Sequence, residues 1–380
     1  MNRDGKDNVV LNIGASLMLQ IMTFASGLII PKIVLIYFGS KVNGLVTSLN
    51  QFLSFISLLE GGLGSIVLAS LYRPLAEKDE AKFSSVIYTA NKFYVQIGFF
   101  FVLYSVLITL LFPHFASAEF DLSYIALMSF ALCFNMIVQY YLSITNRLIL
   151  EADKKGFIVY ITQTIIIFLT TAATVILVRL WPNIFAVKFL RVVIYINQPI
   201  VFYWVTRHDY KKKKCRQIDR ELQERRWTGL GQNVAFFIHS NTDVAVLTIF
   251  STLTNVSVYS VYGMIVVGIR TVLITIKNGF IPVIGNCLAK NDSEKLRKTF
   301  DIFEYVTINA SIIIFGCAYR LILPFVSIYT KDINDADYVQ PFFAAVLVMA
   351  ELLYCVREPH LSVDYADGKF KETRYGAYGE

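Results

Sequence analysis

The sequence predicts an all-α membrane protein, a polytopic helical bundle of about ten transmembrane helices in two repeated lobes, six helices followed by an incomplete second set. Three observations predict it. Whole membrane-length stretches carry no charge: 8–31, 93–118, 122–146 and 156–178 contain no Asp, Glu, Lys or Arg. Each reaches the roughly 18–20 residues that a helix needs to cross hydrocarbon. The composition agrees, with 56% hydrophobic and 17% charged residues and a mean hydropathy of +0.55, where a soluble domain carries about 25% charged. The chain also echoes itself: 75–83 and 288–296 match at four of nine positions at an offset of 213. A second echo pairs Ala152-Asp153-Lys154-Lys155-Gly156-Phe157 with Ala366-Asp367-Gly368-Lys369-Phe370. Matching polar loops at matching places in an apolar chain point to a duplicated bundle, an architecture that many transporters share.

Spans are expected at 9–38, 43–71, 84–112, 122–146, 157–179, 184–206, 229–253, 257–286, 301–326 and 338–363. Gly39-Ser40 and Asn43-Gly44 predict a tight turn between the first two, and Pro113 predicts the end of the third. Pro31 and Pro282 predict kinks. The longest polar run, 207–228, reads as a basic cytoplasmic linker between an N-terminal six-helix lobe, 1–206, and an incomplete C-terminal lobe, 229–380. At the repeat offset the second lobe stops level with residue 167 of the first, so the expectation is a C-terminally truncated chain.

Charge counting sets the orientation. Arg73, Lys78, Lys82, Arg147, Lys154, Lys155, the lysines at 211–214, Lys290, Lys295, Arg297 and Lys298 all fall in connections on one side. The other side holds mainly Lys41, Arg179 and Lys331 with several acids, so the N-terminus is expected in the cytoplasm. The net charge of +7 is spread over these short loops, which argues against nucleic acid as a partner. Five cysteines without a CxxC spacing argue against a disulfide framework or zinc, and no cofactor is expected.

Charges within spans are costly and face a bundle interior or a watery cavity. The candidates are Lys32, Glu60, Asp243, Arg270 and Lys277, with Lys188 and Arg191 on the sixth span, Arg320 on the ninth and Glu351 on the tenth. Arg270 and Lys277 share a helix face, as do His239 and Asp243. Asp243 and Arg270 come out at similar depth, which makes an ion pair between them one expectation and an anion-binding or gating role for Arg270 another. The run His239, Ser240, Asn241, Thr242, Asp243 is too polar to face lipid throughout. Positive charge predominates among these groups, which suits a phosphate-bearing substrate contacted by Lys188, Arg191 and Arg320. No P-loop, GxSxG or HExxH occurs, so nothing in the motifs points to an enzyme.

Several segments carry a resemblance. Asn12, Gln20 and Pro31 precede Tyr37-Phe38-Gly39 and Gly44, then comes Leu59-Glu60-Gly61-Gly62-Leu63-Gly64. Further on stand Ser240-Asn241-Thr242-Asp243, Val256-Ser257-Val258-Tyr259 and the stretch from Ala366 to Thr373. Together they resemble the polysaccharide and O-antigen flippases of the multidrug/oligosaccharidyl-lipid/polysaccharide exporter superfamily. The resemblance implies a MATE-like fold in the bacterial plasma membrane and a cavity lined by the first, second, seventh and eighth spans. Lys32, Glu60, Asn241, Asp243, Arg270 and Lys277 fall on those spans. It also implies alternating access and an undecaprenyl-diphosphate-linked oligosaccharide as cargo. Membrane lipids and other polysaccharide assembly proteins would be its partners. The alternatives are a cation-coupled multidrug exporter of the same superfamily and a membrane enzyme of polysaccharide assembly.

Overall fold

The computed structural model describes residues 3–60, 62–115, 119–210, 217–225, 241–289 and 292–366. Among these residues the regular elements are all helical. Among the described residues seven helices are long and apolar enough to cross a membrane, and the chain is a multi-pass membrane protein. It divides into two compact units, Met1–Val256 and Ser257–Glu380.

In the first unit, α1 (Arg3–Ser54) contains both Pro31 and the turn expected between the first two spans. That turn shrinks to one residue, Gly39, at φ 81° and ψ 172°. This region of backbone space is essentially reserved for glycine, so the chain is redirected without a loop. The expected second span is interrupted. After α1, residues 55 and 56 tighten, their amides bonding back to the Phe52 and Leu53 carbonyls at 3.1 and 3.4 Å. A single turn, α2 (Ser57–Glu60), follows, and Gly62 in the left-handed conformation (φ 81°, ψ 9°) starts α3 (Leu63–Glu77). Gly61 lies outside the described residues. Irregular backbone at membrane depth survives only where protein or a watery cavity satisfies it.

Helix α4 (Glu80–Phe115) runs two residues past Pro113 rather than ending there. The fourth span also exceeds its expected limits: α5 (Leu122–Val138) passes through a π turn at Gln139–Ser143 into α6 (Ile144–Ala152). Arg147, assigned by charge counting to a loop, is therefore helical. Next come α7 (Gly156–Leu180) and a sixth span broken at Ile196 into α8 (Ile184–Tyr195) and α9 (Asn197–Asp209). Asn183 caps α8, its Oδ1 accepting from the amides of Phe185 and Ala186 at 2.9 and 3.2 Å.

Helix α1 packs along α7, α3 on α6, and α4 on α5. The hydroxyls of Ser26 and Thr171, both buried, share a 2.8 Å hydrogen bond. Asn12 ties the start of α1 to that of α7, donating to the Lys154 carbonyl and accepting from the Phe157 amide. Leu53, Leu71, Tyr94, Phe101 and Leu148 belong to one apolar core. The short α10 (Arg220–Arg225) joins it through Leu222, which is fully buried. Asp219, at the foot of α10, meets Lys82 at 2.7 Å. This part of the expected linker is thus docked on α3 and α4 rather than solvated.

Helix α11 (Asn241–Phe250) also belongs to this unit. Ser48 and Thr248 share a buried 2.7 Å hydrogen bond, and Gln51 Nε2 donates to Asn241 Oδ1 at 2.9 Å. A Cβ at Gly44 would collide with the backbone carbonyl of Leu253, so glycine permits this close approach. Leu17, Ile21, Phe99, Phe100, Leu103, Leu107, Ile165 and Phe168 stand exposed, as lipid-facing side chains do.

The second unit contains α12 (Leu253–Ala289) from Ser257 onward, α13 (Ser293–Tyr329) and α14 (Pro341–Ala366). Tyr262 anchors it: its hydroxyl donates to the Tyr338 carbonyl at 2.7 Å and accepts from the Gln340 amide at 3.0 Å. Its ring meets Phe343 edge-on. Ser257 and Tyr338, Arg270 and Glu351, and Lys277 and Glu358 are each 81 residues apart. A constant offset means that α12 and α14 run in the same direction in register.

Candidate functional site

The first unit encloses a cavity of about 310 Å³. Its wall comes from five places: Leu19 and Thr23 of α1, Gln139 and Ser143 of the π turn, Arg147 of α6, Gln163 and Thr170 of α7, and Arg191, Tyr195 and Gln198 around the α8–α9 break. Both helix irregularities, the π turn and the break, lie at this wall. Each changes the rotation of the helix that follows and so turns polar residues inward from otherwise apolar spans.

Among the described residues the wall contains two guanidinium groups, three primary amides and several hydroxyls, and no Asp or Glu. Arg147 bonds Glu151, one turn along α6, at 2.8 Å. Arg191 has no carboxylate partner among the described residues, and its exposed side chain opens onto the cavity. Lys188, one turn earlier on α8, is buried at 6% exposure and likewise has no carboxylate partner among the described residues. Tyr195 stands within electrostatic reach of both Arg147 and Arg191. The cavity therefore carries net positive charge.

Glu60 ends α2 at the helix interruption. Arg147 and Tyr140 of the π turn act on its carboxylate, which places Arg147 between Glu60 and the cavity. The notch left by Gly64 is shared by Glu60 Oε1 and Tyr94 Oη, each 3.8 Å from where a Cβ would stand. The Tyr94 hydroxyl is buried without a hydrogen-bond partner among the described residues.

The remaining sequence candidates are spread over both units. Lys32 is half-buried on α1, Asn241 is held by Gln51, and Asp243 is exposed on α11. His239 and Ser240 lie outside the described residues. In the second unit Arg270 Nη1 meets Glu351 Oε1 at 3.3 Å and its guanidinium covers the Tyr354 ring at 5.4 Å. Lys277 Nζ meets Glu358 Oε2 at 2.6 Å. Arg320 is exposed on α13. Of the nine sequence candidates, only Arg191 lines the cavity. Arg147, Gln139, Ser143, Gln163, Tyr195 and Gln198 were missed. Polarity within spans was the signal for them, and an expected span end at residue 146 hid Arg147. Among the described residues no group of three His, Cys, Asp or Glu could hold a metal ion.

The sequence matches no protein-family model and no curated protein. Solved structures do match. One is the inward-facing conformation of a multidrug resistance MATE family transporter of the MOP superfamily, with TM-score 0.61 and 12% identity, over 97% of this chain and 86% of that one. A MATE in the bent conformation gives TM-score 0.52 and 11% identity over 97% and 86%. A MATE in complex with MaL6 gives TM-score 0.52 and 12% identity over 97% and 85%. At such identities the likeness is one of fold, and the fold is MATE-like.

Proposed function

We propose that the chain is an exporter working by alternating access in the bacterial plasma membrane. Its cargo is an anionic amphiphile, a lipid-linked (undecaprenyl-diphosphate) oligosaccharide moved across for surface polysaccharide assembly. The MATE-like fold supports transport, since the solved proteins that share it are transporters. The observation that carries the cargo class is the uncompensated positive charge of Arg191, which lines the cavity of the first unit from α8 and has no carboxylate partner among the described residues. Unpaired cations inside a membrane bundle are costly unless an anion visits them. A cavity for cationic drugs would need the opposite sign.

A cation-coupled drug exporter is the second reading, and Glu60 at the interrupted helix is the feature that favours it. One experiment separates the two. The gene is deleted and lipid-linked oligosaccharide is assayed by leaflet, with this chain supplied back. Build-up on the cytoplasmic leaflet, relieved by the chain, supports the flippase. Normal distribution accompanied by new drug sensitivity replaces it with the drug exporter.

A further inference from the structure

We infer that the cavity of the first unit binds a phosphate-type oxyanion, held by Arg191 and Arg147 and by the polar groups of Gln139, Gln163, Gln198 and Ser143. The inference deepens the reading above and rests on it for the source of the anion, a lipid-linked head group. The anion chemistry itself stands on the wall of the cavity.

Three independent features converge. The first is charge: Arg147 has its balancing acid in Glu151, whereas Arg191 has none among the described residues. A guanidinium is never neutral, so it needs a counter-charge, and its planar fork matches two oxygens of a phosphate. The second is hydrogen-bonding capacity left over. The side-chain amides of Gln139, Gln163 and Gln198 make no hydrogen bond to a described residue, although Gln198 is only 4% exposed. Gln139 and Gln163 are half-buried; amides left without partners in a partly desolvated wall are costly, so these six N–H groups are available to an acceptor-rich ligand.

The third is Ser143, 1% exposed, whose hydroxyl has no partner among the described residues. A helical serine ordinarily bonds back to the carbonyl four residues earlier. Here that carbonyl, of Gln139, takes the amide of Ile144 in the π turn. The turn thus leaves the hydroxyl without its usual helical acceptor. The absence of any Asp or Glu among the described residues of the wall disfavours a cation. A volume of about 310 Å³ exceeds what inorganic phosphate fills and lies at the small end of organic ligand pockets. A diphosphate with the first part of an attached group fits that scale.

The full chain is purified in detergent and titrated calorimetrically, at fixed ionic strength with chloride as the background, with sodium pyrophosphate and then with farnesyl diphosphate. Saturable binding is expected. Arg191→Gln weakens it at least tenfold and Ser143→Ala several-fold, while Arg297→Gln, exposed near the start of α13, leaves it unchanged. If Arg191→Gln does not give a monodisperse, helical protein, Arg191→Lys replaces it. That change keeps the charge and loses the fork, so a several-fold weakening is expected. No saturable binding by the unaltered chain overturns the site, as does binding by either Arg191 variant equal to it, or equal weakening by Arg297→Gln. Tighter binding of farnesyl diphosphate than of pyrophosphate, by tenfold or more, supports a lipid head group. Equal binding supports a free anion and overturns the link to lipid cargo. An Arg191→Gln chain that loses the anion but moves oligosaccharide normally keeps the site and removes it from the transport path. Absence of oligosaccharide export by the unaltered chain, with anion binding intact, sinks the transport reading alone.

Discussion

Lys277 Nζ lies 2.6 Å from Glu358 Oε2, one heptad beyond the contact of Arg270 with Glu351 on the same two helices. Two in-span cations of the second unit are thus matched by two carboxylates of α14, and the pairs act as a ladder holding α12 and α14 in register. Arg270 and Lys277 each have a carboxylate neighbour, whereas Arg191 of the first unit has none among the described residues.

Glu358→Gln leaves the Lys277 ammonium with a weaker partner and is expected to destabilise the protein by about 1–3 kcal/mol. Replacing both partners with Met is expected to cost less than the two single changes added together, because neither charge is then left stranded. Thermal unfolding in detergent measures this. A double variant as unstable as the sum would show that the pair does not couple.

Exchanging the other rung tests direction as well as distance. Arg270→Glu alone places two acids together and is expected to lower protein level sharply. Combining it with Glu351→Arg restores a pair across the same helices and recovers much of that level. Quantitative immunoblotting of the membrane fraction reads the outcome. Without recovery, the pair would have a role beyond its charge.

Gly39 and Gly44 are expected to resist substitution for different reasons. Gly39→Ala places a Cβ in a backbone region where it costs on the order of 1–3 kcal/mol. Gly44→Ala drives a methyl into the Leu253 carbonyl, backbone that cannot rotate away, and forces α1 off Leu253 within the first unit. Both variants should yield less monodisperse protein on size exclusion than Gly27→Ala, where a Cβ meets open space. Equal yields from all three would contradict the close approach.

Leu222→Ala should loosen α10 from the core formed with α3 and α4, at a cost of about 2–5 kcal/mol for a fully buried leucine. Limited trypsin digestion of the basic stretch 207–226 is expected to speed up severalfold. An unchanged rate would mean that this stretch is already open.

At the ends of α6, α7 and α9, Lys155 reaches Asp209 at 2.9 Å and Asp153 at 3.3 Å, and the Tyr210 hydroxyl donates to Asp153. Burial lowers the pKa of the Lys155 ammonium, but its bonds to Asp209 and Asp153 outweigh that and leave it raised. Burial, and then the bond to Asp153, raise that of Tyr210. Both groups hold their protons more tightly when folded. The stability they add is therefore fully present below their unfolded pKa values, about 10 for each, and is lost as pH rises above them. Thermal unfolding scans should show a decline beginning near pH ~10 that is shallower in Lys155→Met.

The in-span charges show how far the chain alone could be read. Runs without charge, such as 93–118 and 156–178, suffice for an all-α membrane protein, because an unpaired backbone in hydrocarbon admits no other local solution for them. Periodicity likewise placed Arg270 and Lys277 on one face. Depth and face are properties of a single helix, and they follow from counting.

The partner of Arg270 was a different matter, since matching by depth suggested Asp243 while α14 supplies Glu351 at the same level. Which helices become neighbours, and how each is rotated, depends on packing across the unit, and counting along one chain segment does not contain it. The same holds for the cavity. Gln139, Arg147, Gln163, Arg191 and Gln198 come from four separate stretches, and two of those are turned inward by irregularities, the π turn and the break at Ile196, that no spacing rule foretells. The sequence by itself determined the solvent, the secondary structure and the stock of buried charges. Only the tertiary structure decided which charges are neutralised by a neighbour and which are left facing a cavity, because that depends on groups brought together from distant parts of the chain.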